Sequence, residues 1–176
     1  MTDLGIIQIN KLGQALAKKF PELVSLSTIY SSPYTRALQS TEIIKSILNI
    51  KNIIVIDELG EFNAFNNYQN PKSIRDHLQE MAMQNPNWIS PETNVSLNHV
   101  ISSFESKLKE ICLNCTEKTI LISSHGGIIR NFVYTLEPKF RPSDELILEA
   151  KIHEAGYTVL NFDGQDFTVE QFDVHD

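Results

Sequence analysis

Apolar residues along this chain follow two patterns, helical spacing and short continuous runs, which alternate from segment to segment. Steps of three and four residues predict amphipathic helices with apolar faces within residues 9–20, 37–48 and 97–111, and residues 73–83 predict a further short helix. Short continuous apolar runs predict buried strands at residues 26–30, 53–56 and 118–122. Strands that alternate with helices are typical of an α/β fold with a layered sheet.

Capping signals define the ends of two of these helices. Thr2 can cap the first helix, and Pro21 ends it. A serine directly before a proline is a typical helix start, so Ser32 is the expected N-cap of the second helix and Pro33 its first residue. The second helix would then begin directly after a strand.

The C-terminal part of the chain predicts a β-hairpin. Two apolar runs, residues 157–162 and 167–172, flank the turn signal Asp163-Gly164. We therefore expect the layered sheet to finish with an antiparallel hairpin. No repeat or linker divides the chain, so we expect a single domain over residues 1–176.

Composition and charge narrow the class of protein. The net charge of −7, without any basic cluster, argues against a nucleic-acid partner. No run approaches the roughly 20 apolar residues that a membrane helix needs, and we find no signal peptide. We expect a cytoplasmic protein with no membrane partner.

Cys112 and Cys115 are spaced as C-x-x-C. A redox motif of this kind normally follows a strand and opens a helix, whereas this pair lies near the end of a helical pattern. No second cysteine pair or suitably placed histidine completes a zinc site. We expect two reduced thiols and no metal site. A thiol redox module is an alternative that requires both thiols to be exposed and readily oxidised.

The most informative segment for chemistry is residues 120–130, Ile-Leu-Ile-Ser-Ser-His-Gly-Gly-Ile-Ile-Arg. It predicts a buried strand, a tight glycine turn and the start of a helix. Backbone N–H groups at such a turn favour an anion, and glycines let phosphate oxygens come close. His125 could donate to one of those oxygens. The alternative is an ordinary buried histidine beside a strand-to-helix loop.

Arg36 lies in the first turn of its predicted helix, where the helix dipole disfavours a cation. A residue that breaks a local rule often serves a site. If the strand ending at Ser31 lies beside the strand ending at Ser124, Arg36 and His125 face the same C-terminal edge of the sheet, where open α/β sheets bind ligands. A guanidinium, an imidazole and free amides there would hold a phosphate. Alone, Arg36 would be a solvated helix residue.

Several sequence blocks occur in order at residues 2–8, 29–41, 59–61, 123–130 and 154–164, and the most specific are Ser-Ser-Pro-Tyr-Thr-Arg-Ala and Ser-His-Gly-Gly. Together they resemble the histidine phosphatase superfamily, which has the phosphoglycerate mutase-like fold. The resemblance covers nearly the whole chain. It implies a phosphoglycerate mutase-like layered α/β sheet, with helices on both faces and a C-terminal antiparallel hairpin.

The resemblance also implies roles for individual residues. Arg36 is similar to the phosphate-binding arginine of the family, and His125 to its second histidine, which contacts the transferred phosphoryl group. Gly126 would supply a backbone donor. Glu61 resembles the acid that protonates the leaving alcohol, although it could equally be a solvated loop carboxylate. Residues 62–65, Phe-Asn-Ala-Phe, differ from the Gly- and Trp-containing sequence that often follows in the family.

One element of the family pattern is missing. The family nucleophile is a histidine in an Arg-His-Gly segment at the end of the first strand, and no Arg-His-Gly occurs in these 176 residues. None of the other histidines follows a buried strand in a phosphate-binding turn; they are His77, His99, His153 and His175. Covalent catalysis needs an attacking group. We therefore expect negligible phosphatase activity from this chain as given.

The same loss has a structural consequence. In the family the first strand lies between the Ser-His-Gly-Gly strand and the late antiparallel strand. Without it, the strand at 118–122 has an open edge, or the strand at 157–162 slides across to pair with it. An open apolar edge favours aggregation or strand exchange, including homo-oligomer formation. A late start codon, a fragment and a truncated gene product that persists without catalysis all remain possible explanations.

Two functional hypotheses follow. In its complete form the domain would hydrolyse or transfer the phosphate of phosphomonoesters through a phosphohistidine, without a metal or organic cofactor, since guanidinium and imidazole groups do the electrostatic work. Alternatively, it is a non-catalytic module that binds a phosphorylated ligand or a partner chain. The ligand would be a phosphorylated small molecule or a phosphoprotein. The sequence does not identify the substrate or distinguish a mutase from a phosphatase.

Overall fold

A computed structural model describes residues 1–65, 71–143 and 152–175 of the chain. The described residues form helices and strands in the order α1 (Asp3–Lys19), β1 (Thr28–Ser31), α2 (Thr35–Leu48), β2 (Asn52–Val55), α3 (Lys72–Gln84), α4 (Leu97–Asn114), β3 (Leu121–Ser123), α5 (Gly126–Leu136), β4 (Tyr157–Phe162) and β5 (Phe167–Val174). The sequence over residues 60–71 is rich in Asn and aromatic residues without a clear period, which predicts a long irregular loop; this loop lies partly outside the described residues, at 66–70. None of the helices in the described ranges is long and apolar enough to cross a membrane.

The strands form a parallel sheet and a separate hairpin. β1 lies at the centre of a three-stranded parallel sheet of order β2-β1-β3, in which Ile29 lies beside both Ile53 and Leu121. β4 and β5 pair antiparallel, with Leu160 opposite Val169. This is the predicted α/β architecture, with a C-terminal antiparallel hairpin.

Helices cover both faces of the parallel sheet. Alternate strand residues point to opposite sides, so each face carries apolar side chains that the helices bury. Ile29 and Leu121 pack into one apolar cluster with side chains of α1 and α2. Their neighbours Tyr30 and Ile122 pack against a second cluster, which includes side chains of α3, α4 and α5. The two clusters together form the core.

Among the described residues, β3 and the hairpin belong to separate sheets. The backbone N–H of Ser32 donates to the carbonyl of Ser123 at 2.9 Å, so Ser123 faces β1 and the N–H and C=O of Ile122 face the other way. β4 contributes to both core layers, with Tyr157 in the first cluster and Leu160 in the second. In the described part of the chain β3 and β4 are not paired. Of the two expected outcomes, the strand at 157–162 does not slide across, and β3 has an open edge as far as the described residues extend.

The observed N-caps of α1 and α2 confirm one of the two predicted helix caps. Thr2 is the N-cap of α1, and its hydroxyl accepts from Gly5 N at 3.1 Å, as predicted. The predicted cap Ser32 is wrong: α2 begins at Thr35 with Tyr34 as N-cap. The Ser32 hydroxyl is instead engaged by His125 at 2.7 Å. The strand predicted at 118–122 is observed at Leu121–Ser123, the three residues that pair with β1.

Candidate functional site

The ends of β1 and β3 bring together the two segments that carry the predicted site residues Arg36 and His125. The strands run side by side in parallel, and Ser31 and Ser123 are partners at their C-terminal ends. The chain therefore leaves both strands at one edge of the sheet, and α2 and α5 begin just beyond it. In open α/β sheets this edge is where ligands bind.

Arg36 and His125 are in direct contact at this edge. Nε of Arg36, in the first turn of α2, donates to Nδ1 of His125 at 3.1 Å. His125 is the N-cap of α5 and is only 6% exposed. Its Nε2 lies 2.7 Å from the buried hydroxyl of Ser32. The predicted arginine and histidine thus lie side by side, 89 positions apart in sequence.

These contacts determine which nitrogen of the His125 imidazole carries the proton. A guanidinium N–H can only donate, so Nδ1 of His125 accepts and the proton of the neutral ring is on Nε2. Burial, together with the positive charge of Arg36, lowers the pKa of His125 to about 4. The imidazole is therefore uncharged at neutral pH, and it donates through Nε2 to Ser32.

Glu61 binds at the N-terminus of α5. Its Oε2 accepts from the backbone N–H of Gly127 at 3.0 Å, and its Oε1 accepts from Phe62 N at 3.0 Å. The first-turn N–H groups of a helix have no acceptor within the helix, and the positive end of the dipole favours an anion there. Glu61 is held against the turn that follows β3, rather than being a solvated loop residue.

Opposing effects act on the Glu61 carboxyl. Burial raises its pKa and has the largest effect, while the two backbone donors and the charges of Arg36 and Arg130 lower it. The net direction is upward, so the pKa of Glu61 lies above the ordinary value for a glutamate. A proton-carrying carboxyl near a phosphate site can act as a general acid.

The two glycines of the turn have different surroundings. Gly126 is the first residue of α5, so its N–H belongs to the unpaired first turn. At Gly127 a Cβ atom would lie 2.6 Å from Oε1 of Glu61, so only glycine allows the carboxylate this close. The role of Gly126 as a backbone donor to phosphate stays a prediction, while the contact with Glu61 is made by Gly127.

Two residues of the site were not predicted for this role. Ser32 had been assigned to helix capping, and its hydroxyl instead contacts the imidazole. The ring of Tyr34 lies 5.0 Å from the ring of His125, and Cζ of Arg36 lies 5.0 Å from the centroid of Tyr34. The signal for both was their position between the end of β1 and Arg36.

The remaining histidines and the cysteines lie elsewhere in the described structure. His77 is on α3 and His99 on α4, whereas His153 and His175 stack on each other beside Asp173 near the hairpin. Cys112 and Cys115 are free and lie at the end of α4. Burial raises the pKa of the Cys112 thiol, which opposes redox reactivity.

Solved structures with the same fold include several phosphatases. The structure superimposes on mycobacterial hydrolase 1 with a TM-score of 0.76 at 15% identity, covering 100% of this chain and 86% of that one. A mycobacterial glucosyl-3-phosphoglycerate phosphatase gives 0.73 at 16% identity (99% and 88% covered). YhfR of Bacillus stearothermophilus gives 0.74 at 22% identity (97% and 83% covered). These likenesses establish the fold.

Sequence comparison identifies the family directly. A search of curated proteins finds no significant match. The family model of the histidine phosphatase superfamily (branch 1) matches residues 1–175, nearly the full length of the chain. The match includes both segments that meet at the end of β1 and β3. The chain therefore belongs to the histidine phosphatase superfamily, branch 1.

Proposed function

We propose that this domain binds phosphomonoesters and, in a complete form that carries the family nucleophile, hydrolyses them or transfers their phosphate through a phosphohistidine. The observation that carries the proposal is the contact between Arg36 and His125, with Glu61 held at the adjacent helix N-terminus. A guanidinium, an imidazole N–H and first-turn backbone amides are the donors that a phosphate dianion prefers.

Each group has a separate chemical task in this proposal. Arg36 binds two phosphate oxygens through its planar guanidinium, and His125 donates from Nε2 once a phosphate replaces Ser32 as its acceptor. The N–H of Gly126 adds a backbone donor. Glu61 gives its proton to the leaving alcohol oxygen, a step for which its raised pKa is suitable. No metal or organic cofactor enters this scheme.

The covalent step needs an imidazole that these 176 residues do not supply in the required place. Among the described histidines other than His125, none lies at the end of β1 or β3. Loss of a nucleophile can reduce an enzymatic rate by about a million-fold. The second candidate function is therefore a non-catalytic one, in which these residues bind a phosphorylated ligand and release it unchanged.

Binding of inorganic phosphate tests the proposal. We expect saturable, salt-sensitive binding by calorimetry, weakened about tenfold or more by Arg36→Ala and partly retained by Arg36→Lys, which keeps the charge but loses the two-pronged geometry. His125→Ala weakens binding, and the control His99→Ala, on the exposed surface of α4, does not. Equal phosphate binding by all four variants would overturn the proposal.

Turnover separates the two candidate functions. With a generic aryl phosphate we expect no release of alcohol by these 176 residues above the rate without protein. Measurable turnover that His125→Ala abolishes would reject the non-catalytic alternative. Turnover that persists in this variant would indicate a contaminating phosphatase.

A further inference from the structure

β2 lies at the outer edge of the parallel sheet, on the side away from β3. Among the described residues it pairs only with β1. The N–H groups of Asn52 and Ile56 donate to carbonyls at either end of β1, at 3.0 and 2.9 Å. Because successive backbone groups of a strand face opposite sides, the N–H and C=O groups of Ile53 and Val55 face away from β1. We call residues 51–57 the β2 edge.

The β2 edge exposes apolar side chains on both faces of the sheet. Ile54 is 45% exposed and Val55 is 50% exposed, and neighbouring strand residues point to opposite faces. Native edge strands are commonly protected by a lysine, a proline or a bulge within the strand. β2 itself, Asn52–Val55, contains none of these. A second strand that covers this edge would bury apolar surface and pair the outward backbone groups.

A second copy of this chain carries the same edge, and a two-fold axis pairs the two strands antiparallel. If the axis passes beside Ile54, Ile53 of each copy lies opposite Val55 of the other. These are the residues whose backbone groups face outward, so each such pair exchanges two hydrogen bonds, as an antiparallel ladder requires. The two Ile54 side chains meet at the axis, and each Val55 packs against an Ile53.

The charges at the two ends of the β2 edge complement each other in the same register. Lys51 and Asp57 are exposed, and each is three positions from Ile54. The two-fold axis therefore places Lys51 of each copy opposite Asp57 of the other. Moving the axis to Ile53 or Val55 separates these charges. Opposite charges at the rim of an interface favour the correct register, so backbone pattern and charge select the same pairing.

We propose that two copies of this chain associate through their β2 edges and form one continuous sheet of order β3-β1-β2-β2-β1-β3. This inference does not depend on the proposed phosphate site. It also differs from self-association through the open edge of β3, which stays uncovered in this dimer. The paired strands are short, so the interface is at the small end for specific complexes and the dimer dissociates on dilution.

Sedimentation of the chain over a range of concentrations tests the proposal. We expect a monomer–dimer equilibrium that Ile54→Lys weakens about tenfold or more, because two ammonium groups then meet at the axis. Ile74→Lys is the matched control, at an isoleucine of α3 that is 46% exposed, and it should dimerise like the wild-type chain. A chain that stays monomeric, a dimer that Ile54→Lys leaves intact, or equal weakening by both substitutions overturns the proposal.

Exchange of the two charges tests the register. Lys51→Glu and Asp57→Lys each place like charges opposite one another twice, and each should weaken association roughly fivefold at low salt. The double variant Lys51→Glu/Asp57→Lys restores opposite charges and should dimerise like the wild-type chain. All substituted side chains are exposed, so the variants keep the fold, which circular dichroism checks. A double variant that associates as weakly as the single ones overturns the proposed pairing.

Discussion

At the scale of single residues, the charge of His125 couples the site to the stability of the fold. Burial and Arg36 lower the pKa of His125 to about 4, while in the unfolded chain its pKa is near 6.5. Between these values the unfolded state binds more protons than the folded state, so stability rises with pH. The contribution is complete above pH 6.5 and is lost as the pH falls toward 4.

His125→Gln should therefore flatten the pH dependence of stability. The amide of glutamine can still accept from Arg36 and donate to Ser32, but it does not titrate. We expect the wild-type chain to lose about 3 kcal/mol of unfolding free energy through this group between pH 6.5 and 4, and the variant to lose much less. Urea unfolding at a series of pH values measures both slopes.

His99→Gln serves as the matched control, since it replaces an exposed histidine on α4. Its slope should follow that of the wild-type chain. Identical slopes in the wild-type chain and His125→Gln would mean that His125 is not held neutral by its surroundings.

At the scale of elements, the N-terminus of α5 positions Glu61. The carboxylate accepts from Gly127 N at 3.0 Å, and a Cβ at that position would come within 2.6 Å of Oε1. Gly127→Ala must therefore displace the Glu61 carboxylate from the start of α5, and we expect the displaced carboxylate to become more exposed to solvent. Since burial is the main cause of its raised pKa, we expect the pKa of Glu61 to fall toward the ordinary value, as followed by NMR of the side-chain carboxyl carbon.

Gly126→Ala is the control for this prediction. Its added Cβ meets the flexible side chain of Ile152 at 3.0 Å and does not approach Glu61. The pKa of Glu61 should stay raised in this variant. If Gly127→Ala also leaves it raised, the carboxylate is not held by the start of α5.

Element prediction from sequence succeeded where local periodicity decides and failed where distant contacts do. The apolar spacing of α4 and the turn at Asp163-Gly164 gave elements close to the observed ones. Ser32 has the local features of a helix cap, but its hydroxyl contacts His125, 93 positions away. The contact between Glu61 and Gly127 spans 66 positions, and no periodicity encodes it. Only the family resemblance pointed to Glu61.

At the scale of the whole molecule, β3 and β4 contribute to the same two core layers without pairing in the described structure. The N–H and C=O of Ile122 face away from β1, so they are available to a further strand. A further strand could pair with this edge of β3. Its C-terminal end would then lie beside Arg36 and His125 if it runs parallel to β3.

This arrangement predicts that adding a strand with a histidine at its end gives the domain phosphatase activity. We expect fusion of an apolar strand, an Arg-His-Gly turn and a connecting loop ahead of Met1 to produce turnover of an aryl phosphate, because an imidazole is then placed against the phosphate held by Arg36 and His125. Release of the aryl alcohol measures the rate. The same fusion with alanine in place of the added histidine should bind phosphate equally well and stay inactive. A folded fusion that remains inactive, or that turns over equally well with the alanine, would show that the space beside β3 is not where a nucleophile belongs.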